Sequence, residues 1–339
     1  MVRTESKSKQ GGRKMKCVKF VIFVVGLCSL TTFFSLTPVQ AAELVPFITP
    51  PAGGGAYVLG AGMVSVTNRF LPGATLVHEA ASGTMDIVRR MMYRESTKKD
   101  CFGIFGTVDA WNAYQGKNEY SGKPFSNIRA VVFATGTDLY LVVPGNSSIK
   151  SFADVKGKRI GMGGPGSTVA NTAHFLLEQY GVAKKDFKPY YFTYSETVQG
   201  IQDGSLDGGF VAGGYPIPSY TELANTHTVR IVPIDEQTVK KATSEHPYYY
   251  RNVVKAKSYK GVEQDVLIMG FTTAVFTLAS ADPDFIYKFL KNLFDHRTEY
   301  YSIHTSAKDL TPEDATKGVP VPFHPGAEKY LREIGAMKK

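Results

Sequence analysis

From Leu44 onward, short apolar runs of strand length alternate with stretches of helical periodicity, and this alternation narrows the possible folds of the 339-residue chain more than any other feature. Strand candidates lie at 128–134, 139–143, 159–162, 190–193, 208–212, 230–233 and 266–273. Between them, 167–180 carries Val169, Ala173, Leu176 and Tyr180 at intervals of three or four, which is the apolar stripe of a helix. The segment 284–301 does the same with Phe285, Phe289, Leu290, Leu293 and Tyr300. Alternating βαβα with short loops implies an α/β protein with mainly parallel sheets. The length fits two domains of ~150 residues. No internal repeat or low-complexity linker divides the chain, so the expectation is two α/β lobes crossed more than once by the backbone.

The net charge of +9 suggests nucleic acid until its distribution is considered. Residues 1–41 hold Arg3, Lys7, Lys9, Arg13, Lys14, Lys16 and Lys19 against Glu5 alone, so +6 sits in this leader and +3 in the remainder. The basic stretch is followed by an apolar run, 20–36, and then by Val39-Gln40-Ala41-Ala42. Basic, apolar, then small residues is the pattern of a secretory signal peptide, cut after Ala41. Met15 is an alternative start. The 17-residue run with its Ser and Thr falls short of the ~20 residues of a membrane span. Cys17 and Cys28 leave with the leader, so the mature chain keeps Cys101, read as a packed thiol. The expected location is periplasmic, with no nucleic acid as partner, and no later segment is long and apolar enough to cross a membrane.

Four small-residue loops open onto helical stretches. They are 50–55 before 56–70, 80–84 before 85–93, 163–167 before 168–180, and 213–216 before 217–224. The free N–H groups and positive dipole end of a helix N-terminus receive anions, and open α/β sheets bind ligands at the carboxyl ends of their strands. Converging there, such loops suit a small carboxylate or phosphate. Tyr57 projects near the same mouth. Ser167 and Thr168 add hydroxyls. The nucleotide motifs are absent: Gly161–Gly166 lacks the spacing of G-x-G-x-x-G, and no Lys-Ser/Thr follows as in a P-loop. The histidines form no H-E-x-x-H, no C-x-x-C is present, and Ser167 is not in a nucleophile elbow. Catalytic residues, metal ligands and cofactors are therefore not expected. His324 reads as a turn-fixing residue, and Tyr248–Tyr250 as structural aromatics.

The ordered motifs resemble the TAXI family, the extracytoplasmic solute-binding receptors of tripartite ATP-independent periplasmic (TRAP) transporters. The resemblance is carried by Gly53-Gly54-Gly55-Ala56-Tyr57 through Leu71-Pro72-Gly73, Glu79-Ala80-Ala81-Ser82-Gly83-Thr84, and Ser151 to Arg159 followed by Gly164-Pro165-Gly166-Ser167. It continues through Asp203-Gly204-Ser205-Leu206-Asp207, Pro233-Ile234-Asp235, His246-Pro247-Tyr248-Tyr249 and Val321 to Ala327. It implies a type II periplasmic-binding-protein-like fold, in which two lobes close on a small solute and dock on membrane subunits. Lobe one would be 44–139 plus 267–339, and lobe two 140–266. The implied ligand is a small carboxylate such as glutamate or a 2-oxo acid, held by a monomer.

Under this resemblance the ligand-binding residues are Gly54, Gly55, Tyr57, Ser82, Gly83 and Thr107 from lobe one. From lobe two they are Gly166, Ser167, Thr168, Gly213, Gly214 and Tyr215. The sequence departs from the family pattern in places: Pro51 and Ala52 stand among the first glycines, Val169 replaces a hydroxyl position, and Tyr215 stands where the family carries His. A glutamine position near the end of the third strand corresponds to Gly106-Thr107. The alternative is an exported α/β enzyme acting on a small anionic substrate.

Overall fold

The computed structural model describes residues 43–338 apart from Gly53, Pro72 and 214–216. The expected leader 1–41 and its cleavage site lie outside the described residues, as do Gly214 and Tyr215 of the expected site.

In chain order the strands are β1 (Glu43–Thr49), β2 (Ala74–Ala80), β3 (Phe102–Gly106), β4 (Ile128–Pro144), β5 (Arg159–Gly161) and β6 (Lys188–Tyr190), followed by β7 (Gly208–Ala212), β8 (Val229–Val232), β9 (Tyr249–Val254) and β10 (Val266–Leu278). The helices are α1 (Gly55–Thr67), α2 (Thr84–Ser96), α3 (Thr107–Gln115), α4 (Thr168–Gln179) and α5 (Tyr194–Gln202), followed by α6 (Pro218–Thr226), α7 (Glu236–Glu245), α8 (Pro283–Asp295), α9 (Arg297–Tyr301) and α10 (Pro325–Glu333). The sheet runs β2-β1-β3-β10-β4-β7-β5-β6, with β8 added on β4 and β9 on β10.

Two long antiparallel strands organise this order. β10 pairs with β4 from Met269↔Leu139 to Leu278↔Ile128. Along β10 the other neighbour is β9 at Val266–Phe271 and β3 at Thr273–Phe276. Along β4, β7 and β8 take over from Leu139 onward. One end of each strand therefore belongs to a β2-β1-β3 half, and the other to a β7-β5-β6 half.

Each half has helices on both faces. On one side of the first half, Phe47, Phe102, Phe289, Leu290 and Leu331 pack under α1, α8 and α10. On the other, Ile87, Met91, Phe105 and Phe276 pack under α2 and α3. In the second half, Phe152, Leu176, Leu177 and Phe210 form one core, and Tyr140, Tyr220, Leu223 and Ile231 the other. Strands covered on both faces read as continuous apolar runs, which is why β1 and β3 are buried nearly throughout. Ala41–Lys339 packs as one compact unit.

The architecture is the expected mixed α/β one, with corrections. The sheet is not mainly parallel, because β4 and β10 run against their neighbours and only the β1–β2, β1–β3, β5–β6 and β5–β7 pairs are parallel. The candidates 128–134 and 139–143 are one strand. Gly136 does not break it but makes room: a Cβ there would meet the Tyr250 hydroxyl at 2.7 Å, and one at Gly270 would run into the same ring. The helix expected over 284–301 divides at His296, whose ring stacks on Phe70 at 3.6 Å. The strand expected at 190–193 ends at Tyr190, because Thr193 caps α5 in a reciprocal pair with Glu196.

Two smaller readings hold. Cys101 is a buried thiol that burial pushes up to about 12. His324 caps α10, accepting from the Gly326 N–H while its other ring nitrogen lies 3.1 Å from the Ala281 carbonyl oxygen. Among the described residues no helix is long and apolar enough to cross a membrane, and no three His, Cys, Asp or Glu gather as metal ligands.

Candidate functional site

β3 ends at Gly106 and the chain turns at once into α3, so Thr107 and Asp109 occupy the first turn of a helix at the carboxyl end of a strand. In the second half, β5 ends at Gly161, and the loop through Gly163, at φ +81°, and Gly166, at φ +63°, delivers Ser167 as the N-cap of α4. Positive φ suits glycine and strains other residues. From β2 the chain reaches Gly83, the N-cap of α2.

These three helix heads meet. The Thr168 hydroxyl donates to Asp109 Oδ2 at 2.5 Å and lies 3.3 Å from the Thr84 hydroxyl. Asn171 Nδ2 donates to Asp109 Oδ1 at 2.7 Å. The backbones approach closely: a Cβ on Gly106 would overlap the Thr168 side chain, and one on Gly83 would sit 3.1 Å from the Pro165 carbonyl oxygen. One on Gly166 would press on Met85 Sδ at 2.8 Å. Asp109 and Thr107 have no exposed surface. Burial pushes the Asp109 carboxyl up to about 6, against the downward pull of its bonds to Thr168 and Asn171.

The expected site residues divide by what they touch. Gly83, Gly166 and Thr168 stand at this junction. Thr107 is beside it, its hydroxyl 2.6 Å from that of Thr272 and 3.0 Å from the Thr272 carbonyl oxygen. Ser167 is at the junction too, but its oxygen accepts from the Ala170 N–H as an ordinary cap. The Ser82 hydroxyl and N–H both go to Asp86, which Arg90 also grips. Gly54 and Gly55 begin α1, the carbonyl of Gly54 accepting from the Tyr57 and Val58 N–H groups. The Tyr57 ring meets His78 edge-on at 4.7 Å, and His78 Nε2 is 3.0 Å from the Thr49 hydroxyl. Burial lowers the His78 pKa, favouring the neutral ring. The Gly213 N–H donates to the Asp138 carbonyl oxygen at 2.9 Å.

Reasoning from sequence missed Asp109, Thr84 and Asn171. Asp109 had a signal: an acid three residues after Gly106, in the first turn, complements a helix N-terminus. Its partnership with α4 had none, because the two residues are separated by the whole of β4 and β5.

Two cavities lie elsewhere. One of about 400 Å³ follows the crossover strands and is lined by Gly136, Asp138, Tyr250, Asn252, Thr272 and Asp309, among others. Its acids are engaged: Asp138 accepts from Tyr250 and Asn252, and Asp309 from Thr135. The other, about 510 Å³, lies at 144–146 and 227–229 at the far end of β4.

A model of the NMT1-like family matches residues 47–335. Among solved structures, XAC2383 from Xanthomonas citri bound to chloride ion aligns over 86% of this chain and 96% of its own, at 10% identity and a TM-score of 0.51. A structure described as a periplasmic transporter aligns over 87% and 93%, at 12% identity and a TM-score of 0.51. At these identities the likeness is one of fold.

Proposed function

This chain belongs to the NMT1-like family, and from that premise we propose that it is an extracytoplasmic solute-binding protein, exported behind the leader 1–41. It captures a small organic anion, a carboxylate such as glutamate or a 2-oxo acid, by closure of two lobes. It then delivers the anion to the membrane subunits of a TRAP transporter, the role implied by its resemblance to TAXI receptors. Lobe one is 44–139 with 267–339, and lobe two 140–266, the chain passing between them within β4 and β10. On this reading the protein acts as a monomer without cofactor or metal, and makes and breaks no bond.

The observation that carries the reading is the meeting of the heads of α2, α3 and α4 at the carboxyl ends of strands from opposite halves. When the lobes part, those N–H groups and the hydroxyls of Thr84, Ser167 and Thr168 face a cleft suited to an anion. The expected contacts are Gly54, Gly55, Tyr57, Ser82, Gly83 and Thr107 on one wall. On the other they are Gly166, Ser167, Thr168, Gly213, Gly214 and Tyr215.

The test is thermal unfolding of the mature chain, unfolded and refolded to strip carried-over solute, against carboxylates, amino acids, sugars and phosphates. A ligand at 100 times its dissociation constant stabilises by about 2.7 kcal/mol. Shifts confined to carboxylates are expected. Shifts with sugars alone would remove the anion from the proposal, and no shift with any class would remove capture of these solutes.

A further inference from the structure

We propose that a lysine-rich face at the amino ends of β5 and β6 docks the mature protein on an anionic lipid bilayer. The proposal goes beyond solute capture and requires neither a bound ligand nor movement of the halves.

The mature chain carries a small positive charge, and one stretch holds all of it. Residues 148–188 contain Lys150, Lys156, Lys158, Arg159, Lys184, Lys185 and Lys188 against Asp154, Glu178 and Asp186, a net +4. The mature chain as a whole sums to +3, so the rest of it is at −1.

The fold gathers this charge in one place. α4 runs back from its head for 12 residues, about 18 Å at the usual helical rise, and its tail leads into 184–188. There the Lys188 N–H donates to the Lys158 carbonyl oxygen at 2.8 Å, and the Gly157 N–H to that of Asp186 at 2.7 Å. Lys188 is the register partner of Arg159. Lys158 Nζ reaches Ser148 Oγ at 3.2 Å, which brings the 148–150 segment alongside.

The charge is also free to act outward. Lys150, Lys156, Lys184, Lys185 and Lys188 are exposed, and among the described residues none of them forms an ion pair. The neighbouring acids are turned to other partners. Asp154 accepts from the Lys150 and Ser151 N–H groups, Asp186 from the Ala183 N–H, and Asp207 grips Arg159 at 2.8 Å. β6 ends the order of the sheet, where a lysine guards against pairing with another strand. That accounts for Lys188 but not for the four lysines lying off the strands.

The chemistry of the face fits lipid better than protein. Lysine is a point charge on a flexible stem, whereas fixed recognition of a carboxylate or phosphate uses the arginine fork. The one arginine here is committed to Asp207. Protein interfaces are depleted in lysine around an aromatic, well-packed centre. The large side chain exposed at this edge is Tyr190, which the strand's alternation sets on the same face of β6 as Lys188. Lysines flanking a tyrosine suit a headgroup layer. The face lies at the far end of the second half from the helix heads, so a bilayer there leaves their junction uncovered.

The test is co-sedimentation with vesicles of phosphatidylcholine alone or mixed with phosphatidylglycerol. It uses the mature chain, which packs as one compact unit, because the leader's own basic residues would bind the vesicles. Each lysine near an anionic surface contributes about fivefold to partitioning. The expected result is binding to the mixed vesicles that weakens with salt and is absent with phosphatidylcholine alone. Lys184→Gln, Lys185→Gln and Lys188→Gln combined should reduce partitioning on the order of a hundredfold. Lys98→Gln, Lys99→Gln and Lys123→Gln combined remove the same charge from exposed positions of the first half and should leave most of the binding. Equal losses in the two variants would overturn the proposal, and so would no binding to the mixed vesicles or equal binding to phosphatidylcholine alone. Far-UV circular dichroism checks folding; if the first variant fails to fold, Lys150→Gln with Lys156→Gln takes its place. Vesicles are read without solute, so a protein that binds them but no carboxylate would keep the docking face and lose the proposed function.

Discussion

At the scale of single residues, the junction between the halves depends on atoms that are missing. Gly106 has φ −64° and ψ 136°, a conformation open to any residue, so its backbone does not require glycine. The requirement comes from Thr168, whose side chain fills the place of a Cβ. Gly106→Ala therefore tests the approach of the lobes rather than a turn. Overpacking a fixed core costs about 1–3 kcal/mol, but on the proposed reading of two lobes that part, the walls can separate instead. The expected outcome is a larger radius of gyration with little change in the urea midpoint; a closed scattering curve would count against it. The same scale explains what the sequence concealed. Ser167 and Ser82 were legible as small polar residues opening helices, and both do sit at helix starts. Their hydroxyls, however, are spent locally, Ser167 accepting from the Ala170 N–H as an N-cap and Ser82 donating to Asp86. Asp109 went unread although a first-turn acid is a sequence signal, and its partners on α4 gave no signal at all.

At the scale of elements, α3 and α4 face each other head to head across a buried carboxyl, and under the proposed function this makes lobe closure depend on pH. With the lobes shut, burial holds the Asp109 carboxyl up at about 6. With the lobes parted, water returns it towards the ordinary aspartate value of about 3.9. Between those two values the closed form binds the extra proton, so acid favours closure. The contribution is fully present below the open-form value and is lost as pH rises through about 6. The expected measurement is a radius of gyration that falls as wild type is acidified through that range, and that stays flat in Asp109→Ala. An equal pH response in the variant would assign the titration elsewhere, for example to Asp138, whose carboxyl burial also pushes up. Elements were otherwise legible in proportion to their length. α4 and β7 stood out from periodicity and bounding glycines. By contrast, β4 looked like two strands because Gly136 resembles a punctuation mark until Tyr250 is seen lying against it.

At the scale of the whole molecule, the α/β class followed from the alternation of segments, and the shared strands account for the absence of a linker. The mixed sheet could not be read in advance, because strand direction depends on where β4 and β10 cross, and a run of apolar residues carries no direction. The same arrangement makes a prediction about how the molecule comes apart. The four cores are apolar and lie mostly within the halves, with Val108 and Trp111 of α3 reaching the core of the second half, whereas the junction at the helix heads is made largely of Thr84, Asp109, Thr168 and Asn171. Hydrogen bonds exchanged for water contribute only about 0.5–1.5 kcal/mol each, while burial of a single large apolar side chain contributes about 1.5–3 kcal/mol. The junction should therefore yield before the cores. The halves themselves share β4 and β10 and cannot unfold one without the other. In a urea titration of ligand-free protein, Trp111 emission should shift first, as the lobes part, with far-UV circular dichroism lost later in one transition. Coincident curves would mean that the polar junction resists separation as strongly as the cores resist unfolding. Two separate losses of circular dichroism would mean that the shared strands do not couple the halves.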